Sequence, residues 1–292
     1  MITLSLRKIS QKSLMQAIYS IPSIVYLSVF FYVPVLTIFV YSFWIGGPLY
    51  RAIPGFTLEN YLRFFTEELS ISVLLTTIAV SLAVFAVVLF VAYPIAYFLA
   101  RMTSSEWGLR IILLILIPLE MNYLIRAFAW RNILGENGLI NNLLVSTGMV
   151  HEPVSFLFHS FYAIVLVGLH NSLPYAIIPI YITIRNIPQS LYYAAMDLGS
   201  NRVSVFFRVT LPLSLPGIAI AFLFVYIPMM GEFAIPSLVG GKTYLLGNMI
   251  TRNYLIIGNW PFASAATVSL LLISLVVILL VFKFLGVRRL YE

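Results

Sequence analysis

Residues 191–217 read LYYAAMDLGSNRVSVFFRVTLPLSLPG. They form a polar island in a chain otherwise built of apolar runs long enough to cross a bilayer. Pro188 can open a helix here, because its missing N–H is not needed in a first turn. That helix runs through Tyr192, Tyr193, Ala194, Ala195 and Asp197. It stops at Gly199, which can take the left-handed conformation that closes a helix. Ser200 or Asn201 then caps a second short helix over 202–208. Pro212 and Pro216 end the unit and start the next apolar run. The spacing predicts helix, glycine bend, helix, lying outside the hydrocarbon.

The surroundings agree. Hydrophobic residues make up 61% of the chain and charged residues 9%, against about a quarter charged in a soluble domain. The fold class expected is all-α, a polytopic membrane protein. The net charge of +7 is not a nucleic-acid footprint when the basic residues gather in loops on one side. There is no cysteine, which excludes disulfides and thiol catalysis. His151, His159 and His170 stand apart without metal-ligand spacing, so interfacial or packed histidines are expected and no metal site. No Walker-type glycine loop occurs, so the chain does not itself bind ATP through that motif.

Six apolar runs follow one another, at about 18–43, 71–100, 111–125, 159–184, 212–235 and 263–285. Before them lies a basic lead, 1–17, with Arg7, Lys8 and Lys12. The first run is too long for a signal-peptide core and lacks a small-residue cleavage site, so it reads as an uncleaved span. The transmembrane region is 18–287, with a cytoplasmic loop at 185–211 and a short cytoplasmic end at 288–292. Trp44 and Tyr50 suit the membrane interface. Residues 45–70 read as a polar loop, 101–110 as a short one and 126–158 as a long one. Within the long loop, Leu139, Ile140, Leu143 and Leu144 recur at helical spacing, predicting an amphipathic interfacial helix.

The basic residues sort unevenly. Arg7, Lys8, Lys12, Arg101, Arg110, Arg185, Arg202, Arg208, Lys283, Arg288 and Arg289 fall on one side. Arg51, Arg63, Arg126, Arg131, Lys242 and Arg252 fall on the other. The richer side is cytoplasmic by the positive-inside rule. It holds both termini and the 185–211 loop.

Polar residues inside apolar runs mark a second region. Glu120 lies in LIPLEMNYLIR and Glu232 in PMMGEFAIP. A carboxylate facing lipid is costly, so each should face a cavity, a partner or a cation. A structural pair is the alternative. Glu120 and Arg126 are six apart, which is not one helical face, so pairing them needs a break in the helix. Pro34, Pro94, Pro118, Pro174, Pro179 and Pro228 each free a carbonyl within or beside a span. Helix kinking for packing accounts for most. Pro118 and Pro228, near charged residues, also fit bent helices that enclose a pathway. The candidate pathway residues are Glu120, Asn122, Tyr123, Arg126, Tyr226 and Glu232. Carboxylates and aromatic faces there suit a flexible organic cation, whereas an unpaired Arg126 would favour an anion.

The 191–217 stretch resembles the coupling loop of bacterial ABC-importer permeases, whose pattern is Glu-Ala-Ala, three residues, Gly, nine residues, Ile, one residue, Leu-Pro. The slots hold Tyr193, Ala194, Ala195, Gly199, Val209, Leu211 and Pro212. Tyr193 stands where the pattern has glutamate, and Val209 where it has isoleucine. Over about 20–285 the chain is similar to permeases of the spermidine and putrescine type, specifically the first of their two permease subunits. Asn122, Leu124, Ile125, Arg126, Gly138, Leu139, Ile140, Asn141, Asp197, Leu198 and Gly199 carry the likeness. So do Gly231, Glu232, Phe233, Ile235, Pro236, Gly240, Gly241, Gly247, Trp260, Pro261, Ala263 and Ser264. Glu120 departs from the aromatic residue usual at its position.

The resemblance implies a type I importer permease fold with six transmembrane helices in the cell inner membrane. It implies a second, homologous permease subunit, two ABC ATPase subunits that bind the ATP, and a soluble periplasmic or lipid-anchored substrate-binding protein. Tyr193, Ala194, Ala195, Asp197, Gly199, Leu211 and Pro212 would couple to the ATPase. The permease itself would hold no cofactor and catalyse no reaction. The cargo implied is a polyamine; relatives that move ferric iron, thiamine, opines or aminoalkyl phosphonates keep those cargoes open. A secondary transporter would need repeats and mid-membrane ion-coupling residues. A membrane-embedded enzyme would need clustered His, Asp or Glu. Neither pattern is seen.

Overall fold

A computed structural model describes residues 11–47 and 52–285. Arg7 and Lys8 of the basic lead, Tyr50 and Arg51 of the first loop, and the 288–292 end lie outside the described residues. The structure is helical almost throughout. α1 (Gln11–Leu27) continues through a π turn (Ser28–Tyr32) into α2 (Val33–Tyr41). A two-stranded hairpin follows, β1 (Ile45–Gly46) antiparallel to β2 (Ala52–Ile53), then α3 (Glu59–Thr66). The described residues of the 45–70 segment, expected as a polar loop, thus include a hairpin and a helix. Asn60 ties it down, donating from Nδ2 to the carbonyls of Ser42 and Trp44 at 3.1 and 2.9 Å.

α4 (Glu68–Arg101) is 34 residues long, about 51 Å at 1.5 Å per residue, against a hydrocarbon thickness of about 30 Å. It projects well beyond the bilayer. α8 (Phe161–Arg185) and α11 (Leu211–Met230) pack against it. Their shared core is Val80, Val84, Val88, Ala92 and Ala96 of α4, Ile164, Val167, Ile177 and Ile180 of α8, and Ile218, Ala221 and Val225 of α11. Small residues allow the close approach, as helix pairs in lipid require. A Cβ on Gly217 would lie 2.6 Å from Thr183 Oγ1 and 2.7 Å from the Pro179 carbonyl of α8. Gly217→Ala is therefore expected to overpack this crossing by about 1–3 kcal/mol, read as a lowered Tm in detergent. Gly231→Ala, whose Cβ would meet nothing closer than 4.0 Å, should leave Tm unchanged. Equal Tm for both variants would refute the close crossing.

The third apolar run departs from expectation. It was expected as one span, 111–125, followed by a loop from 126. Instead α5 (Ser105–Leu116) tightens into a 3-10 turn over Ile117–Glu120, breaks at Met121, and restarts as α6 (Tyr123–Leu134) and α7 (Leu139–Ser146). The two arms, Glu106–Glu120 and Tyr123–Ser146, meet at 88°. Pro118 sits in the 3-10 turn, and Asn122 caps α6 by accepting from the Leu124 N–H at 2.9 Å. A new cap inside an apolar run ends one helix and starts another. α7 is the amphipathic helix expected at 139–144, with Leu139 and Leu143 facing outward.

The coupling unit also differs at its far end. After α9 (Gln189–Asp197) and the bend at 198–201, α10 (Arg202–Val205) runs through a π turn (Phe206–Thr210) into α11 without interruption. Pro212 was expected to stop the second short helix, but the helix passes through it. The widened turn immediately before Pro212 gives its ring room and absorbs the missing donor. In the opposite direction, α11 ends at Met230, short of the 235 expected. α12 (Ala234–Val239), α13 (Leu246–Arg252), a π turn (Asn253–Ile257) and α14 (Trp260–Phe284) complete the described chain. Among the described residues, five helices are long and apolar enough to span a membrane, and six if the bent pair counts as one.

Candidate functional site

Two regions draw polar residues together, one at each end of the α4–α8–α11 core. At the coupling end, Gly199 has φ +83°. Its N–H donates to the Met196 carbonyl at 2.9 Å, and the Ser200 N–H donates to the Ala195 carbonyl at 3.0 Å. This pair of bonds is the Schellman closure, and it needs a left-handed residue at Gly199. Asn201 then caps the next helix, accepting from the Ser204 N–H at 2.8 Å. The inner face of the unit is a small core of Ile187, Tyr192 and Val205, with Ala195, Val209 and Leu213 against it.

The outer face is bare and apolar. Leu198 is 87% exposed, and Tyr193, Val203 and Phe207 are more than half exposed. Ala194 and Asp197 are exposed beside them, while Leu211 and Pro212 are half-buried within the continuous helix. An apolar patch of this kind marks an interaction surface. The unit is anchored from behind. Arg185 Nη1 donates to the Ala100 carbonyl at 2.8 Å, and the Arg101 guanidinium lies 3.7 Å over the Tyr192 ring.

At the opposite end is a cavity of about 370 Å³. Tyr123 and Arg126 enter it from α6, Asn171, Ser172 and Tyr175 from α8, and Phe224, Pro228 and Met229 from α11. Glu232 closes it from the loop beyond α11. Glu232 was read as lying within the fifth span; it stands past the helix end instead. Its Oε2 accepts from the Tyr123 hydroxyl, and its Oε1 accepts from the Ala234 and Ile235 N–H groups at 2.7 and 3.0 Å. The carboxylate thus caps the positive end of α12 while one edge faces the cavity.

Arg126 is 7% exposed, and its Nη1 donates to the Pro118 carbonyl at 3.3 Å. Neither ion pair among the described residues involves it. The break in the helix that a Glu120–Arg126 pair would need is present, yet Glu120 remains exposed and unpaired there. Arg126 Nε and both amide atoms of Asn171 are buried without protein partners. Such groups are costly in an apolar surround unless water or a ligand meets them.

The six pathway candidates therefore divide. Tyr123, Arg126 and Glu232 share the cavity. Asn122 is the α6 cap and Glu120 is exposed at the break; neither lines the cavity. Tyr226 is fully buried on another face of α11, stacked on Phe222 at 4.7 Å among Met230, Ile78 and Phe85. Asn171, Ser172 and Tyr175 were missed. Their signal was available, since HNSLPY places adjacent polar residues inside an apolar run. Among the described residues no group of three or more His, Asp or Glu is placed to hold a metal.

No family model matches the chain. Curated relatives do. The spermidine/putrescine transport system permease protein PotB of Haemophilus influenzae is 33% identical over 81% of this chain and 82% of its own length. The protein of the same name in Escherichia coli K12 is 34% identical over 75% of this chain and 78% of its own. The inner membrane ABC transporter permease protein YdcU, also of Escherichia coli K12, is 32% identical over 76% and 74%. A solved structure of a bacterial ABC transporter that imports the acidic polysaccharide alginate has a chain that superimposes with a TM-score of 0.69 at 20% identity. The match covers 97% of this chain and 98% of that one. A second, of the alginate transporter in complex with alginate pentasaccharide-bound periplasmic protein, gives 0.68 over 97% of each.

Proposed function

Because this chain belongs to the inner-membrane permease family of ABC importers, in the spermidine/putrescine group, we propose that it forms half of an ATP-driven translocation pathway for a polyamine. It is a transport subunit rather than an enzyme. Its other half is a second, homologous permease. Two ATPase subunits complete the machine, this chain docking on them through the face of Tyr193, Ala194, Leu198 and Phe207, and a substrate-binding protein delivers cargo at the opposite end. The chain's own task is to hold two packings of near-equal free energy that these partners bias.

The observation that carries the cargo reading is Glu232 at the cavity, beside the phenols of Tyr123 and Tyr175 and the ring of Phe224. A carboxylate gives an ammonium group its strongest hydrogen bonds. Aromatic walls accept both methylenes and the cation. The site is open and shallow in charge, which suits transit better than tight capture. Pro228 adds to it, since its missing N–H leaves the Phe224 carbonyl of the cavity wall without its usual helical donor. Arg126 works against a cation in the same cavity, so charge there is balanced rather than uniformly negative. ATP-dependent uptake of labelled spermidine into vesicles carrying the intact complex and its binding protein tests the reading. Uptake of an anion or a sugar instead of spermidine would overturn it.

The orientation is proposed with it: both termini and the coupling loop in the cytoplasm, Lys242 outside. The segregation of basic residues supports this. In this cysteine-free chain, Leu198→Cys should resist an impermeant thiol reagent applied from outside to intact cells, while Lys242→Cys should react. Reaction at position 198 alone would invert the topology.

A further inference from the structure

A second cavity, about 340 Å³, lies between the C-terminal end of α4 and the coupling unit. Arg101 and Arg202 line it together with Gln189, Tyr192, Tyr193 and Met102. Its chemistry is one-sided. Two guanidinium groups face it, and no carboxylate lines it. Neither arginine has an acidic partner within 4.0 Å among the described residues. Of the acids on the adjoining helices, Glu106 pairs with Arg110 at 3.7 Å, and Asp197 is exposed on α9 and does not line the cavity. Arg101 is pre-oriented by its stack on Tyr192, which leaves its N–H edge free for a planar or tetrahedral oxyanion. Tyr193, at the rim between this cavity and the outer face, occupies the one motif slot where the coupling-loop pattern would put a glutamate. A glutamate there would neutralise the cavity.

We propose that this cavity binds a phosphate-bearing anion, and that in the membrane the anion is the headgroup of an acidic phospholipid. The place favours a lipid over free phosphate. Arg101 follows directly on the apolar run that ends at Ala100, so the charged pocket adjoins the lipid-facing surface of α4. Phe98 and Met102 beside it are exposed and apolar, a surface for acyl chains below a charged pocket. Basic pockets between spanning helices on the cytoplasmic side hold acidic headgroups in this way. The bound lipid would bridge α4 and the coupling unit, so that the ATPase acts on a unit already joined to the core. The lipid source rests on the cytoplasmic placement proposed above; anion binding does not.

The test is lipid retention by the purified intact complex, measured by native mass spectrometry after exchange into mixed phosphatidylethanolamine and phosphatidylglycerol. Because it does not depend on transport, it can fail without the importer reading failing. The wild type should retain phosphatidylglycerol preferentially. Arg202→Gln should weaken that preference roughly fivefold, as expected for one basic group near an anionic surface. Tyr193→Glu, which keeps the family motif and hence the fold, should abolish it. Equal retention of both lipids by the wild type, or unchanged preference in both variants, would overturn the proposal. Binding of inorganic phosphate without retained lipid would overturn the headgroup assignment in favour of a free anion. Absence of acidic lipid together with carbodiimide cross-linking of Arg202→Lys to the ATPase would assign the arginines to a protein carboxylate and overturn it as well.

Discussion

Glu232→Gln is expected to lower polyamine uptake by about ten- to a hundredfold, the effect of losing a hydrogen bond to a charged group worth about 1.5–3 kcal/mol. The fold should survive. The glutamine carbonyl can still accept from the Ala234 and Ile235 N–H groups, and its amide can donate to the Tyr123 oxygen. What disappears is the negative charge at the cavity edge. Glu232→Ala would be a poorer probe, since it strands the Tyr123 hydroxyl and two helix-end donors at once. The informative partner is Arg126→Gln, which removes a buried cation from the same cavity and should maintain or raise cation uptake. Vesicle uptake with the assembled complex reads both. Undiminished polyamine uptake in Glu232→Gln, with Arg126→Gln abolishing uptake of an anion, would reverse the sign of the pathway.

Gly199→Val is expected to uncouple ATP hydrolysis from transport while leaving the spans folded. A left-handed conformation costs a non-glycine residue about 1–2 kcal/mol. A Cβ at Gly199 would meet nothing within 4 Å, so the effect is purely one of backbone strain. That strain is relieved by opening the Schellman closure, which turns Leu198 and Ala194 away from their docking geometry. About 1.4 kcal/mol is a tenfold loss of docking. Gly199→Asn, which tolerates the left-handed region, should lose much less. Ala194→Asp attacks the same surface by charge and should match Gly199→Val. Stimulated ATPase activity at wild-type level in both Gly199→Val and Ala194→Asp would rule out this surface as the coupling contact.

The parts of the fold that were legible are those with strong local chemistry. Gly199 as a helix stop, Asn201 as a cap and the amphipathic Leu139–Ser146 helix each rest on a few adjacent residues, and each is present. The apolar runs were legible because lipid imposes their length. The break at Met121 was not, because IILLILIPLEMNYLI stays apolar across it and only the Asn122 cap marks the restart. Pro212 misled for a related reason. A proline reads as a stop, but a π turn just before it lets the helix continue, and no residue type signals a π turn. The orientation of Tyr226 was hidden because α11 is apolar on every side, so no face is distinguished. Glu232 looked like a buried charge in a span; its neighbours are apolar because they pack the short α12, not because they face lipid.

The continuity from Arg202 to Met230 has a mechanical consequence. This stretch of 29 residues is a single rod of about 43 Å, with the coupling unit at one end and the cavity loop at the other. Its near end is free of glycine until Gly217, and Gly217 is clamped against Pro179 and Thr183 of α8. That clamp is a fulcrum. It divides the rod into arms of about 22 Å toward Arg202 and about 20 Å toward Met230, so a tilt of about 5° about it displaces the far end by about 2 Å. The displaced end is Met230, two residues before Glu232. A small rocking of the coupling unit is thus passed on, reversed in direction and nearly equal in size, to the one carboxylate that faces the cavity, with no hinge needed inside the membrane.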